Sequence, residues 1–138
     1  MADARPAERS FRDRLKAREL LVGTFVKTPT SHPVEVAAAA GLDFVIVDQE
    51  HAPIDRGAID MQVLAGRAAN IAVLVRVPGS EARDILPVLD CGARGVLVPH
   101  VDSAERAGAV VAESRYQGGR RGFSNSSRAG GYGALGFR

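Results

Sequence analysis

Just past a short apolar run, Asp48, Glu50 and His51 bring two carboxylates and an imidazole within four residues. That grouping suits proton transfer, because imidazole titrates near neutral pH and makes His51 the best candidate for a base. Arg76 interrupts a second apolar run, residues 72–77. Its guanidinium must be buried with a partner or carried at the end of a strand, and a planar fork that keeps its charge suits a carboxylate or an enolate. The plain alternatives are solvated charges that end a strand, a histidine that caps the next segment, and an Arg76 salt bridge to a neighbouring helix. Asp48 and Glu50 lie two apart and point the same way if the strand continues through them. Two carboxylates are nonetheless too few to hold Mg²⁺ or Mn²⁺ without water or substrate oxygens.

These residues need elements to position them. The run Phe44-Val45-Ile46-Val47 reads as a strand buried on both faces, as strands of parallel α/β sheets are. Acid and base groups just beyond it then stand at the C-terminal edge of the sheet, where such folds build their sites. The alternation repeats four times: strands at 20–27, 43–49, 72–77 and 95–101, each followed by a helical segment. The second of these, about 57–69, spaces Met61, Leu64, Ala65 and Ala68 as one buried stripe. Gly41 is placed to end the first crossover helix and Gly92 the third, Ser80 to start the third, and Asp102 with Glu105 to box the start of the fourth. Pro87 must lie in a first turn or mark a kink. Ahead of the first strand, residues 6–18 form a leading helix with Phe11 and Leu15 on its packed face. Four β/α units of this kind imply a parallel sheet. The expected organisation is an N-terminal helix over 1–19, four β/α units over 20–116, and a Gly/Ser/Arg-rich loop over 117–138 that is ordered only if something holds it.

Composition excludes several functions. The 138 residues carry a formal net charge of +2, too little for an electrostatic nucleic-acid footprint. Cys91 is the single cysteine, so neither an internal disulfide nor a thiolate metal site is available, and a cytoplasmic location is the expectation. No apolar run approaches the roughly 20 residues that cross a bilayer. Gly131-Tyr132-Gly133-Ala134-Leu135-Gly136 spells a dinucleotide fingerprint, but neither a strand before it nor a helix after it supports that reading. Lys27 stands at the end of the first strand, where a Schiff-base lysine could act. His100 ends the fourth strand and faces the same rim, has no assigned task, and is taken as structural.

Five segments in order, Gly23-Thr24-Phe25-Val26-Lys27, residues 39–51, Val75-Arg76-Val77-Pro78, residues 89–99 and Gly119-Arg120-Arg121-Gly122, resemble the HpcH/HpaI-type aldolases, metal-dependent class II enzymes related to the citrate lyase β subunit. The resemblance implies an α/β fold, a (β/α)8 barrel, of which only the first four units are here. It also implies reversible cleavage of a 4-hydroxy-2-oxo acid to pyruvate and an aldehyde. It assigns His51 as base, Asp90 as the carboxylate paired with it, Arg76 as the ligand of the 2-oxo oxygen, and Phe25 as a wall of the substrate pocket. Asp48 and Glu50 become outer-shell groups near a divalent metal (Mg, Mn or Co). The metal's first-shell Glu and Asp belong to later strands with no counterpart in this chain, so tight metal binding by these residues alone is not expected. Lys27 reads on the same basis as a rim charge. The expected partner is a small 2-oxo acid, with no nucleic acid and no membrane. Because the first and fourth strands would be open apolar edges, self-association is expected too. The alternative is a non-catalytic half-barrel that assembles with a complementary chain.

Overall fold

The computed structural model describes residues 9–134. Four strands, β1 (Gly23–Val26), β2 (Phe44–Asp48), β3 (Ala72–Arg76) and β4 (Gly95–Leu97), form one parallel sheet in the order β1-β2-β3-β4. Helices α2 (His32–Ala39), α3 (Arg56–Ala68) and α4 (Ala82–Asp90) connect them, α1 (Phe11–Lys16) precedes them, and α5 (Ala104–Ser114) follows. Each strand is shorter at its ends than the apolar runs suggested, because ladder pairing stops where the sheet stops while the apolar composition continues.

Strand β2 alternates instead of being buried on both faces. Val45 and Val47 are fully buried against the helices, whereas Phe44 and Ile46 are half-buried on the other face. Strand β3 does the same, with Val73 and Val75 under the helices and Leu74 and Arg76 on the open face. Helix α3 also departs from expectation. Its buried residues are Ile59, Gln62, Val63, Ala65 and Gly66; of the expected stripe only Ala65 is buried, and Met61 and Leu64 are 54% and 48% exposed. Both stripes have helical spacing; the one chosen by the fold includes a fully buried glutamine, whose Nε2 donates to the Thr28 carbonyl at 2.7 Å. Gly66 explains the choice, since a Cβ there would lie 2.2 Å from Val73 Cγ2 and only glycine lets the helix approach β3.

Helix α1 packs by Phe11, whose ring centroid is 5.5 Å from that of Phe44; Leu15 is exposed. Residues 6–8 of the expected helix lie outside the described residues. Arg14 donates to Asp43 at 2.7 Å and Asp43 accepts from the Val22 amide at 2.8 Å, tying α1 to the strand N-termini. The N-caps of the last two helices shift by one residue. Glu81, boxed with Asp84, starts α4 and Ser103 starts α5, its hydroxyl accepting from the Arg106 amide at 3.1 Å. Pro87 lies inside α4 beyond its first turn. The Gly/Ser/Arg-rich segment is held by two arginines. Arg128 donates to the Cys91 carbonyl at 2.7 Å and to Asp60 Oδ2 at 3.0 Å, and Arg121 donates to Asp90 at 3.0 Å while lying over the Tyr116 ring. Of the glycine fingerprint, residues 131–133 form one short 3₁₀ turn, and Leu135 and Gly136 lie outside the described residues.

Candidate active site

The C-terminal edge of the sheet is built by neighbouring strands in register. Asp48 ends β2 directly beside Arg76, which ends β3. Asp48 is fully buried, and Arg76 grips it with two nitrogens, Nε to Oδ1 at 3.0 Å and Nη2 to Oδ2 at 2.7 Å. The strand does not persist to Glu50. Instead Asp48 Oδ1 accepts from the backbone amides of Glu50 (3.2 Å) and His51 (3.1 Å), turning the chain so that Glu50 comes back over the edge. Lys27, just past β1, adds its Nζ at 3.5 Å from Asp48 Oδ2. Arg76 above all, and then the His51 amide and Lys27, hold the Asp48 carboxyl well below the usual carboxylate range, against the opposing effect of burial. The Arg76 guanidinium is raised in turn by its bond to Asp48.

Glu50 is the second hub. Its Oε2 lies 3.3 Å from Arg76 Nε and 3.6 Å from His51 Nε2, and its Oε1 lies 3.3 Å from His100 Nε2. Phe25, from the open face of β1, sits under the Arg76 guanidinium at 4.8 Å from its ring centroid. Two nitrogens of Arg76 are committed to Asp48, which leaves Nη1 without a protein partner among the described residues. The arrangement can present one guanidinium N–H pair to an anion beside an exposed imidazole.

The structure therefore brings Phe25, Asp48, Glu50, His51 and Arg76 to one edge. Asp90 is not brought to them. It is the last residue of α4, at the end from which the chain re-enters β4, and its carboxylate is taken by Arg121. The pairing of Asp90 with His51 is thus absent within this chain, because α4 runs back along the sheet and carries its final residue away from the C-terminal edge. Glu50 stands nearest the imidazole instead. His100 stands on the rim as expected, and its Nε2 lies 3.3 Å from Glu50 Oε1, a contact that the sequence reading did not assign.

The expected divalent metal finds no cradle on this rim. Both Asp48 oxygens and both Glu50 oxygens already face cationic or N–H groups, and among the described residues no group of three or more His, Cys, Asp and Glu is placed to hold an ion. A cavity of about 510 Å³ lies at the other end of the sheet, against Asp43 and Ala72, with Arg67 and Arg94 in its wall and none of the rim residues. The rim itself is open. No helix among the described residues is long and apolar enough to cross a membrane.

A parallel β/α sheet whose C-terminal edge gathers an imidazole, a guanidinium and two carboxylates has the build of a partial β/α barrel with its polar groups at the edge where such folds place their sites. The chain belongs to the HpcH/HpaI aldolase/citrate lyase family, whose model matches residues 21–129. It is 36% identical over 130 residues to a hydroxypyruvate/pyruvate aldolase of Paraburkholderia phytofirmans, covering 89% of this chain and 50% of that protein. It is 37% identical over 127 residues to a 4-hydroxy-2-oxovalerate aldolase of Rhodococcus jostii, covering 89% and 49%. The fold matches the crystal structure of an HpcH/HpaI aldolase from Desulfitobacterium hafniense with a TM-score of 0.79 at 35% identity, over 84% of this chain and 46% of that one. The chain thus spans about half the length of the curated relatives it matches.

Proposed function

We propose that these four β/α units are the base-carrying, 2-oxo-acid-binding half of an aldolase that cleaves a 4-hydroxy-2-oxo acid to pyruvate and an aldehyde. One observation carries the reading: His51 and Arg76 converge on the same carboxylate oxygen, Glu50 Oε2, at 3.6 and 3.3 Å. In the cleavage direction His51 takes the proton from the C4 hydroxyl, and the C4–O bond becomes a carbonyl as the C3–C4 bond breaks. The electron pair of that bond moves onto the 2-oxo oxygen as an enolate, held by the free Nη1 of Arg76. Return of a proton to C3 releases pyruvate. Asp48 fixes the guanidinium, Glu50 orients the imidazole, and Phe25 packs beneath Arg76. The metal of the family takes its ligands from outside this chain on this reading, and Asp90 serves as a support for the 117–134 segment.

The open face of the sheet favours a second, compatible reading, a half-barrel that assembles with a complementary chain. Phe25 and Leu97 on that face are 44% and 39% exposed, and β1 and β4 are edges of the described sheet. The test is pyruvate release from 4-hydroxy-2-oxopentanoate, with and without Mg²⁺, Mn²⁺ or Co²⁺, by the chain alone and by the chain mixed with the second half of a relative's barrel. Metal-dependent release that appears on mixing and disappears in His51→Ala supports the proposal. Metal-independent turnover trapped by borohydride at Lys27 contradicts it.

A further inference from the structure

The aldolase reading leaves the second imidazole of the rim, that of His100, without a task. His100 follows β4 with a φ of 56°, in the left-handed region that a residue with a Cβ adopts at a cost and keeps only where its surroundings hold it. The hold is visible here. Arg106, in the first turn of α5, donates from Nη1 to the His100 carbonyl at 2.9 Å, and the same nitrogen lies 3.3 Å from Asp102 Oδ1. The result is an imidazole that is 82% exposed yet stands with Nε2 at 3.3 Å from Glu50 Oε1. Glu50 turns its other oxygen to Arg76 and His51.

We infer that His100 and Glu50 together read a hydroxyl group on the aldehyde-derived part of the substrate, with Arg106 as the residue that positions His100. The inference rests on the aldolase reading above. Three observations support it. A carboxylate and an imidazole side by side serve a hydroxyl in both directions, since its O–H donates to Oε1 while its lone pair accepts from a ring N–H. An alkyl chain in that place strips water from both groups and returns nothing. The position also fits. His100 lies three residues past Leu97, the register partner of Arg76 on β4, and the two side chains meet the two different oxygens of one carboxylate, Glu50, each at 3.3 Å. A 2-oxo oxygen and a C5 hydroxyl of one extended chain are separated by about 5 Å for carbon–carbon bonds of about 1.5 Å. Finally, Asp48 and Glu50 are already balanced by Lys27 and Arg76, so the place beside Glu50 favours a neutral group over an anionic one. A second anionic group beside Glu50 has no cation left to answer it.

The test is calorimetric titration of the chain with pyruvate, 4-hydroxy-2-oxopentanoate and 4,5-dihydroxy-2-oxopentanoate, the last two differing by one hydroxyl. The wild type is expected to bind the dihydroxy acid about five- to tenfold more tightly than the monohydroxy acid, the effect of one well-made hydrogen bond. His100→Gly, which relaxes the backbone and so keeps the fold, is expected to erase that preference with the pyruvate Kd unchanged. His100→Asn, which tolerates the left-handed conformation and keeps a hydrogen-bonding amide, is expected to retain part of it. Pyruvate binding without a hydroxyl preference, a preference that survives His100→Gly, or an equal loss for all three ligands overturns this inference alone. If none of the three binds and the Arg76 guanidinium signals stay unmoved in NMR spectra, the aldolase reading falls and this inference with it.

Discussion

Asp48→Asn is the perturbation that the site's construction makes most demanding. The carboxylate is fully buried and accepts from Arg76 Nε at 3.0 Å, Arg76 Nη2 at 2.7 Å, and the amides of Glu50 and His51 at 3.2 and 3.1 Å. An asparagine keeps one acceptor oxygen and turns an NH₂ toward donors, so the two-point grip on the guanidinium is lost and Arg76 keeps only Glu50, at 3.3 Å, as a carboxylate partner. Breaking one side of a buried pair costs about 3–5 kcal/mol, against a total stability of about 5–15 kcal/mol for a domain. With a urea m-value of about 2 kcal/mol/M for a chain of this size, the midpoint should fall by about 2 M. The pH dependence supplies an independent check. The folded-state pKa of Asp48 lies below its unfolded value of about 3.9, so its stabilisation is fully present above about pH 4 and is lost as the pH falls below that. Urea melts of the wild type from pH 7 to pH 2 should therefore show an acid loss that Asp48→Asn lacks. A midpoint change under about 0.5 M, or identical acid slopes in the two proteins, would mean that the Asp48–Arg76 pair does not hold the edge of the sheet.

Three further outcomes follow from the packing. Gly66→Ala should destabilise by about 1–3 kcal/mol in thermal melts despite alanine's better helix propensity, because the new Cβ meets Val73 Cγ2 and lies 3.1 Å from the Ile71 carbonyl. Arg128→Ala removes a side chain that holds Asp60 and the Cys91 carbonyl, and trypsin should then cut at Arg120 and Arg121 at least several-fold faster; an unchanged rate would show that the segment is held by something else. Gln62→Leu gives up the bond to the Thr28 carbonyl but also removes a buried Oε1 that has no partner, so stability should change by less than about 1 kcal/mol, while amide exchange in residues 28–31 should quicken.

The C-terminal ends of β2 and β3 were legible in the sequence to within a residue, because charged groups, Asp48 and Arg76, mark them, whereas β4 stops at Leu97, short of the expected end at Val101. The face that each helix buries was less so. In α3 two stripes share the same spacing, and the residues that decide between them are a glutamine and a glycine, which carry no apolar signal. The two-sided burial expected of β2 depends on whatever covers the open face of the sheet, a property of the assembly and not of the strand. The return of Glu50 to the rim depends on amides bonded to Asp48, which spacing alone does not reveal. Asp90 shows the converse: proximity to a motif did not predict its place, because the direction of α4 decided it. The segment after Gln117 reads as irregular, yet Arg121 and Arg128 order it by finding carboxylates on α4 and α3.

The central claim is that His51 and Arg76 handle one pyruvate-like anion at the mouth of the sheet. It is tested most directly by titrating pyruvate into the chain labelled at its histidine rings and arginine side chains and following each signal by NMR. The His51 ring and the Arg76 guanidinium should show saturable shifts with one common dissociation constant, both abolished in a folded Arg76→Met variant. Shifts confined to Arg67 and Arg94 at the opposite end of the sheet, or His51 and Arg76 responding with unrelated constants, would contradict it.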